Sequence, residues 1–465
     1  MKHLNLELLA DYEIPVNRPD RLCGVQFGDD AVLLGLVDRL IDDANREGAN
    51  VGLAVVQPGE TGYAKLLKEQ DGLYTAFVRG DLNEKPVQRE QVVQCVLQAL
   101  DPAEDDEALM ALAGSPEVRF LLLHTDETGE FAARDAVCAA LAARFLAERW
   151  KRNLPGAYVI VCGEDEDCAG KLKRQMLECA ERWRVGDAFG SWLDGCFFFP
   201  ALADCLVFRS AADEAARLCA GMNYADAMIH LAEPYGLWAI RADAAFREEF
   251  GLDRCGQIQF VEDLGEALMK KQRIFDAGLF AMAALGSLHG NETLAECMKD
   301  EPLRDLVGHA LLDEMLPYAP MSKEALTPYI ISCYERYANP MNDNRLPDAA
   351  RGLIHKFSKG ILPAVRAYAE EHFEPPKYLT VALSATILLY ADVRRKGDGY
   401  ETVVGEATIP VHESPEVLDA FSRLSSDMSP DSLAYAVLSD RTLWDGMDLR
   451  EIDGLEEQVI GNLGN

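Results

Sequence analysis

Between residues 21 and 58 the spacing of apolar positions changes twice, and each change marks an element. A short run, Gly24-Val25-Gln26-Phe27, ends at Gly28 and Asp29-Asp30. Leu33, Leu34, Leu36, Val37, Leu40, Ile41 and Ala44 then recur at helical spacing, and after Gly48 residues 51–56 read as a second buried strand. Strand, glycine turn, helix and parallel strand make up the first unit of a dinucleotide-binding fold. Further on, the pattern predicts a short helix at 64–68 and a hairpin with strands at 73–79 and 86–93 around Asn83-Glu84-Lys85. An acidic loop at 101–106 leads into another helix. The apolar run at 118–125, bounded by Ser115-Pro116 and Asp126-Glu127, suits a central strand whose C-terminal end points at a ligand crevice. An amphipathic helix at 136–150, a core strand at 157–162 and a helix at 171–184 continue the alternation.

From about residue 260 the strand-like runs disappear. Helical periodicity dominates 264–287, 303–316, 323–338, 349–369 and 378–396, with weaker helices to the end. The pattern as a whole predicts an α/β fold class. Its N-terminal Rossmann-like doubly wound domain spans residues 1–257, its mostly α-helical C-terminal domain spans 258–465, and the active cleft lies between them. No internal repeat or low-complexity segment is found, and Lys396-Gly397-Asp398-Gly399 is the candidate for a mobile loop.

Composition narrows the function classes. With 465 residues, 49% of them hydrophobic, the chain can bury a sizeable core. Its formal net charge of −33, from 78 acidic against 45 basic residues, repels nucleic acid and anionic membranes, so neither is expected as a partner. A solvated acidic surface is the simplest source of that imbalance. Met1-Lys2-His3-Leu4-Asn5 opens no signal-peptide core, and no apolar run approaches the roughly 20 residues of a membrane span, so a cytoplasmic location is expected. The 12 cysteines contain no C-x-x-C pair and read as reduced, buried thiols. Cys162 and Cys168 are the nearest pair, with no histidine beside them, and no metal site is expected.

Several segments, in order, resemble one family. Gln26-Phe27-Gly28-Asp29 resembles an opening Gln-Phe-Gly-Glu-Gly turn, with Val37-Asp38 in the helix behind it. Val55-Val56-Gln57-Pro58, Glu69-Gln70-Asp71-Gly72-Leu73-Tyr74, Glu117-Val118-Arg119-Phe120 and His124-Thr125-Asp126-Glu127-Thr128-Gly129 follow in the expected places. Glu233-Pro234-Tyr235-Gly236-Leu237-Trp238 is similar to Glu-Pro-(Tyr/Phe)-His-Leu-Trp. Arg336-Tyr337-Ala338-Asn339-Pro340, Lys356-Phe357 and Ile361-Leu362-Pro363 keep the spacing of the helical half. Together these words resemble the long-chain sugar dehydrogenases that include mannitol dehydrogenase and, within them, the tagaturonate reductases.

The resemblance implies an NAD(H)-dependent oxidoreductase that reduces a keto-sugar acid of the tagaturonate or fructuronate type, with a sugar acid or polyol as its small-molecule partner. It implies that Gly28, Asp29, Asp30, Gln57 and His124 face NAD, that Lys356 and Asp204 face the substrate, and that Lys271 and Asp276 sit at the reacting group. Such a reaction needs a proton donor for the developing alkoxide and a group that stabilises its charge. In the family a Lys-x-x-x-x-Asn-x-x-His signature supplies them. Here the segment reads Lys271-Gln272-Arg273-Ile274-Phe275-Asp276-Ala277-Gly278-Leu279, with Asp276 for asparagine and Leu279 for histidine.

Loss of one oxyanion donor typically costs about 10²–10³ in rate, and a carboxylate beside the lysine favours its charged form. The family's catalytic asparagine near the middle of the chain matches Pro200, while Asp204 keeps its place. The loop Cys162-Gly163-Glu164-Asp165-Glu166-Asp167-Cys168-Ala169 lacks the family's glutamate and asparagine and reads as solvated. In the opening turn Asp30 stands for the second glycine, Ala31 for asparagine and Leu34 for arginine. Asp29 and Asp30 face a pyrophosphate or cap the helix starting near Ala31. His124 is either a cofactor contact or a hydrogen-bonded structural residue. Two expectations therefore stand side by side: a keto-sugar-acid reductase, and a homologue that keeps the fold as a binding, regulatory or assembly protein without hydride transfer.

Overall fold

The computed structural model describes residues 1–125, 133–341, 344–397, 399–405 and 407–464. Positions 126–129 of the segment starting at His124, and Asp398, lie outside them. Eight strands among the described residues form the main sheet: β1 (Leu22–Phe27), β2 (Gly52–Val56), β3 (Val96–Leu100), β4 (Phe120–His124), β5 (Tyr158–Cys162), β6 (Phe197–Asp204), β7 (Leu237–Ile240) and β8 (Ile258–Phe260). Their order is β8-β7-β6-β5-β4-β1-β2-β3. The first six are parallel, β7 runs antiparallel to β6, and β8 runs parallel to β7. Strand order reverses between β1 and β4, which is where a doubly wound sheet opens its ligand crevice.

Alternation along each strand explains why helices cover both faces. Cys23, Leu53 and Val55 point into one core with Leu33, Leu36, Leu40 and Ile41. Val25, Phe27, Ala54 and Val56 point into the other, against Phe145, Leu146, Leu172 and Met176 of the helices Ala133–Lys151 and Cys168–Arg182. The helix after β1 is α1 (Asp38–Arg46), entered through a π-helical turn, Leu33–Val37. The expected hairpin is present as strands Tyr74–Leu82 and Lys85–Val93, turning on Asn83 and Glu84 with φ of 52° and 60°.

By internal contacts the chain divides into Met1–Arg79 with Pro86–Ala267, and Gly80–Lys85 with Leu268–Asn465. The second unit is mostly helical, as its periodicity predicts, with one correction. Beyond the helix Lys377–Tyr390 the chain forms a three-stranded antiparallel sheet, Arg394–Lys396, Gly399–Val404 and Ala407–Val411, where the helical pattern had been extended to 396. Its β-branched run Thr402-Val403-Val404 and the left-handed turns at Gly397 and Gly405 (φ 61° and 60°) carry the strand signal. Lys396 and Gly399, at the two ends of the segment expected to be a mobile loop, pair across this sheet.

Among the described residues, three helices of this unit contain π turns: Lys271–Phe275, Ala310–Met315 and Phe357–Ile361. No helix of the described residues is long and apolar enough to cross a membrane. None of the 12 cysteines forms a disulfide among the described residues.

Candidate functional site

The chain leaves β1 through Gly28, whose φ of 136° suits glycine and whose N–H donates to the Val56 carbonyl at 3.1 Å. The next two side chains diverge. Asp29 is buried and accepts the Thr61 hydroxyl at 2.6 Å. Asp30 folds back over the helix start, where its carboxylate accepts the Leu33 N–H at 3.0 Å and lies 3.4 Å from His124 Nδ1. Burial works against its charge, yet His124 and the Val32 and Leu33 N–H groups outweigh that and hold the carboxyl below its ordinary value.

The structure thus brings Gly28, Asp29, Asp30 and His124 together at the ends of β1 and β4. Gln57, at the end of β2, is spent on its own loop: its amide nitrogen donates to the Gly59 carbonyl and, at 3.3 Å, to Asp101, and its oxygen accepts the Ala64 N–H at 2.9 Å. Asp204 closes β6, buried and paired in register with Leu237. Beside it the Glu233 carboxylate accepts the Leu206 N–H at 2.6 Å, so the Glu-Pro-Tyr segment is anchored there.

In the second unit Lys271 opens a π turn and Asp276 opens the helix that follows, α2 (Asp276–Leu288). The Asp276 N–H bonds to the Lys271 carbonyl, an i→i+5 link that stacks the two side chains on one face. Lys271 Nζ meets Asp276 Oδ1 at 2.5 Å, with side chains 11% and 1% exposed. The Phe275 ring lies 5.2 Å from the Lys271 ammonium and 3.6 Å from the Arg336 guanidinium, and the Tyr337 hydroxyl holds the Phe275 carbonyl at 2.6 Å.

Lys356 is buried, and its ammonium donates to the Arg351 carbonyl. The π turn that follows it, Phe357–Ile361, presses Gly360 against the first one: a Cβ there would stand 2.4 Å from the Gln272 carbonyl oxygen. Burial, with Lys356 and Lys359 adding to it, pushes His355 down to about 4, while Asp445 and then Asp276 oppose the shift. Lys271, Asp276, His355 and Lys356 therefore belong to one neighbourhood.

An altronate oxidoreductase of Klebsiella pneumoniae (strain 342) is 31% identical over 96% of this chain and 94% of its own length. The chain belongs to the altronate oxidoreductase family. A second member, from Bacillus subtilis (strain 168), is 28% identical over 99% of the chain and 94% of its own length. Residues 263–464 match the mannitol dehydrogenase C-terminal domain. Among solved structures, a Pseudomonas fluorescens mannitol 2-dehydrogenase ternary complex with NAD and D-mannitol superposes with a TM-score of 0.78, at 18% identity, over 100% of this chain and 96% of that one. A D-sorbitol dehydrogenase in substrate-free form gives 0.74 at 18%, over 99% and 97%. Both share the fold.

For this altronate oxidoreductase family member, the dinucleotide implied by the sequence resemblance fits the turn in one respect and fails in another. Gly28 gives the close backbone turn. Asp30 places a carboxylate on the helix N–H groups that a pyrophosphate would use. With Asp30 where it stands, a pyrophosphate at this turn would have a carboxylate for a neighbour. In the acidic loop, Asp165 pairs with Lys171 at 2.9 Å and Asp167 with Arg174 at 2.7 Å. No group of three or more His, Cys, Asp or Glu among the described residues is arranged to hold a metal ion. Sequence reasoning passed over Arg336 and Tyr337 as neighbours of Phe275 and missed the π turns. The five-residue spacing of Lys271 and Asp276 was the available signal for one of them.

Proposed function

We propose that this chain is an oxidoreductase acting on the CH–OH group of a sugar acid, or on the corresponding ketone, with NAD(H) as hydride partner and tagaturonate or fructuronate as the substrate class. The observation that carries this reading is the 31% identity to an altronate oxidoreductase over 96% of the chain. It is supported by the retention of a buried lysine at the head of a π turn, a helix defect often found at functional sites. What the chain's own residues can do in such a reaction is move a proton. The Lys271 ammonium would donate to the substrate oxygen as the ketone is reduced, and the amine would take that proton back in oxidation. Lys356 would meet the substrate carboxylate, with Asp204 as a further substrate contact, and the enzyme would work in the cytoplasm.

A second reading keeps the fold and gives up hydride transfer, leaving a binding, regulatory or assembly protein. It is favoured by the 2.5 Å Lys271–Asp276 pair and by Asp30 on the helix donors. NADH oxidation in the presence of tagaturonate or fructuronate separates the two. The first reading expects turnover that falls about 10²-fold or more in Lys271→Ala. Wild-type rates equal to those of that variant with both ketones support the second.

A further inference from the structure

Asp30 takes up, from within the chain, the donors that a nucleotide pyrophosphate would use. Its carboxylate accepts the Leu33 N–H at 3.0 Å and is also bonded by the Val32 N–H. Its side chain, 29% exposed, leans on His124 at 3.4 Å, at the end of β4 where strand order reverses. Its neighbour Asp29 is drawn away to Thr61. Of the two carboxylates in the turn, Asp30 is the one bonded to the Leu33 N–H. Leu34, buried in the core, adds no cation at this turn. A helix N-terminus carries only about half a positive charge, and a formal carboxylate in contact with it more than cancels its pull on a second anion.

We propose that Asp30 is an internal anion surrogate that sets the dinucleotide affinity of this chain: it satisfies the helix start in the absence of a ligand and weakens binding of any pyrophosphate at the Gly28 turn. The proposal concerns the cofactor turn of the reading above but is tested on binding alone, so failure of turnover would not bear on it. Aspartate at this position is a good helix cap and asparagine caps about as well. Asp30→Asn therefore removes the charge and keeps the cap, whereas Asp30→Gly removes both the charge and the side chain.

NADH fluorescence titration of the full-length protein, with ADP-ribose as a competitor that carries the pyrophosphate without the nicotinamide, measures the effect. Asp30→Asn is expected to bind both at least about tenfold more tightly than the wild type, because a like charge in the anion site is removed. Asp30→Gly is expected to bind at least as tightly as Asp30→Asn. Since Asp30→Gly also loses the cap, far-ultraviolet circular dichroism confirms that each variant is folded before titration. Equal affinity of wild type and Asp30→Asn would overturn the proposal. Absence of binding by all three folded proteins would overturn it as well, because Asp30 would then not be what decides.

Discussion

Asp276 shows how much one side chain changes the chemistry open to its neighbour. Buried and in contact with Lys271, it leaves the second carboxylate oxygen without a hydrogen-bond partner among the described residues. Removing one member of a buried pair strands the other's charge, whereas replacing both by neutral groups does not. Lys271→Met is therefore expected to lower unfolding free energy by about 3–5 kcal/mol, and Lys271→Met with Asp276→Asn to recover most of it. Urea denaturation of the wild type, the two single variants and the double variant closes the cycle, and additive losses would mean that the pair is not coupled.

Asp38 offers a pH-dependent test. Burial, only partly offset by hydrogen bonds from Tyr74 and Gln26, pushes its carboxyl up to about 8. The folded state then binds a proton that the unfolded chain has released above about pH 4, so Asp38 takes stability away as pH rises from there to about 8. The amide introduced by Asp38→Asn keeps an acceptor for the Tyr74 hydroxyl, which lies 3.0 Å from the Asp38 carboxyl, and does not titrate. The stability of Asp38→Asn relative to wild type should thus climb with pH at up to about 1.4 kcal/mol per unit and level off near pH 8. A difference that does not change with pH would contradict the buried proton.

At the scale of elements, α1 and the helix carrying Lys271 were legible because their apolar spacing is strong, while the π turns inside them were not. A π turn adds one residue to a helical turn without disturbing the composition, so periodicity averages over it. It matters locally all the same, since it places residue i+5 over residue i and makes the Lys271–Asp276 contact. Two such turns meet at Gly360, where close backbone approach leaves no room for a methyl group. Gly360→Ala should cost about 1–3 kcal/mol and lower the urea midpoint. An unchanged midpoint would show that the two turns are free to separate. The sheet at 394–411 escaped notice for a different reason: its three short strands follow an apolar helix, and the strong helical signal was carried past Tyr390.

Over the whole molecule, period made β1, β2, β4 and β5 of the main sheet legible, while β3, β6, β7 and β8 were not read from the sequence. The parallel strands β2 and β5 are buried on both faces and read as unbroken apolar runs, which no other placement would tolerate in water. The resemblance to a sugar-acid oxidoreductase family was likewise readable along the chain, and full-length similarity to altronate oxidoreductases bears it out. Which substituted residues face each other was not readable. Asp29 and Asp30 are adjacent and chemically alike, yet one is bound to Thr61 and the other to His124 and the helix start, because the left-handed turn at Gly28 sends them in different directions. Gln57 keeps its place at the end of β2 but is used up by its own loop. Sequence determined the strongly periodic elements and the lineage, since burial of apolar surface acts on patterns many residues long. Tertiary structure decided the fate of each charge, since a carboxylate's partner is set by contacts of about 3 Å between segments far apart in the chain.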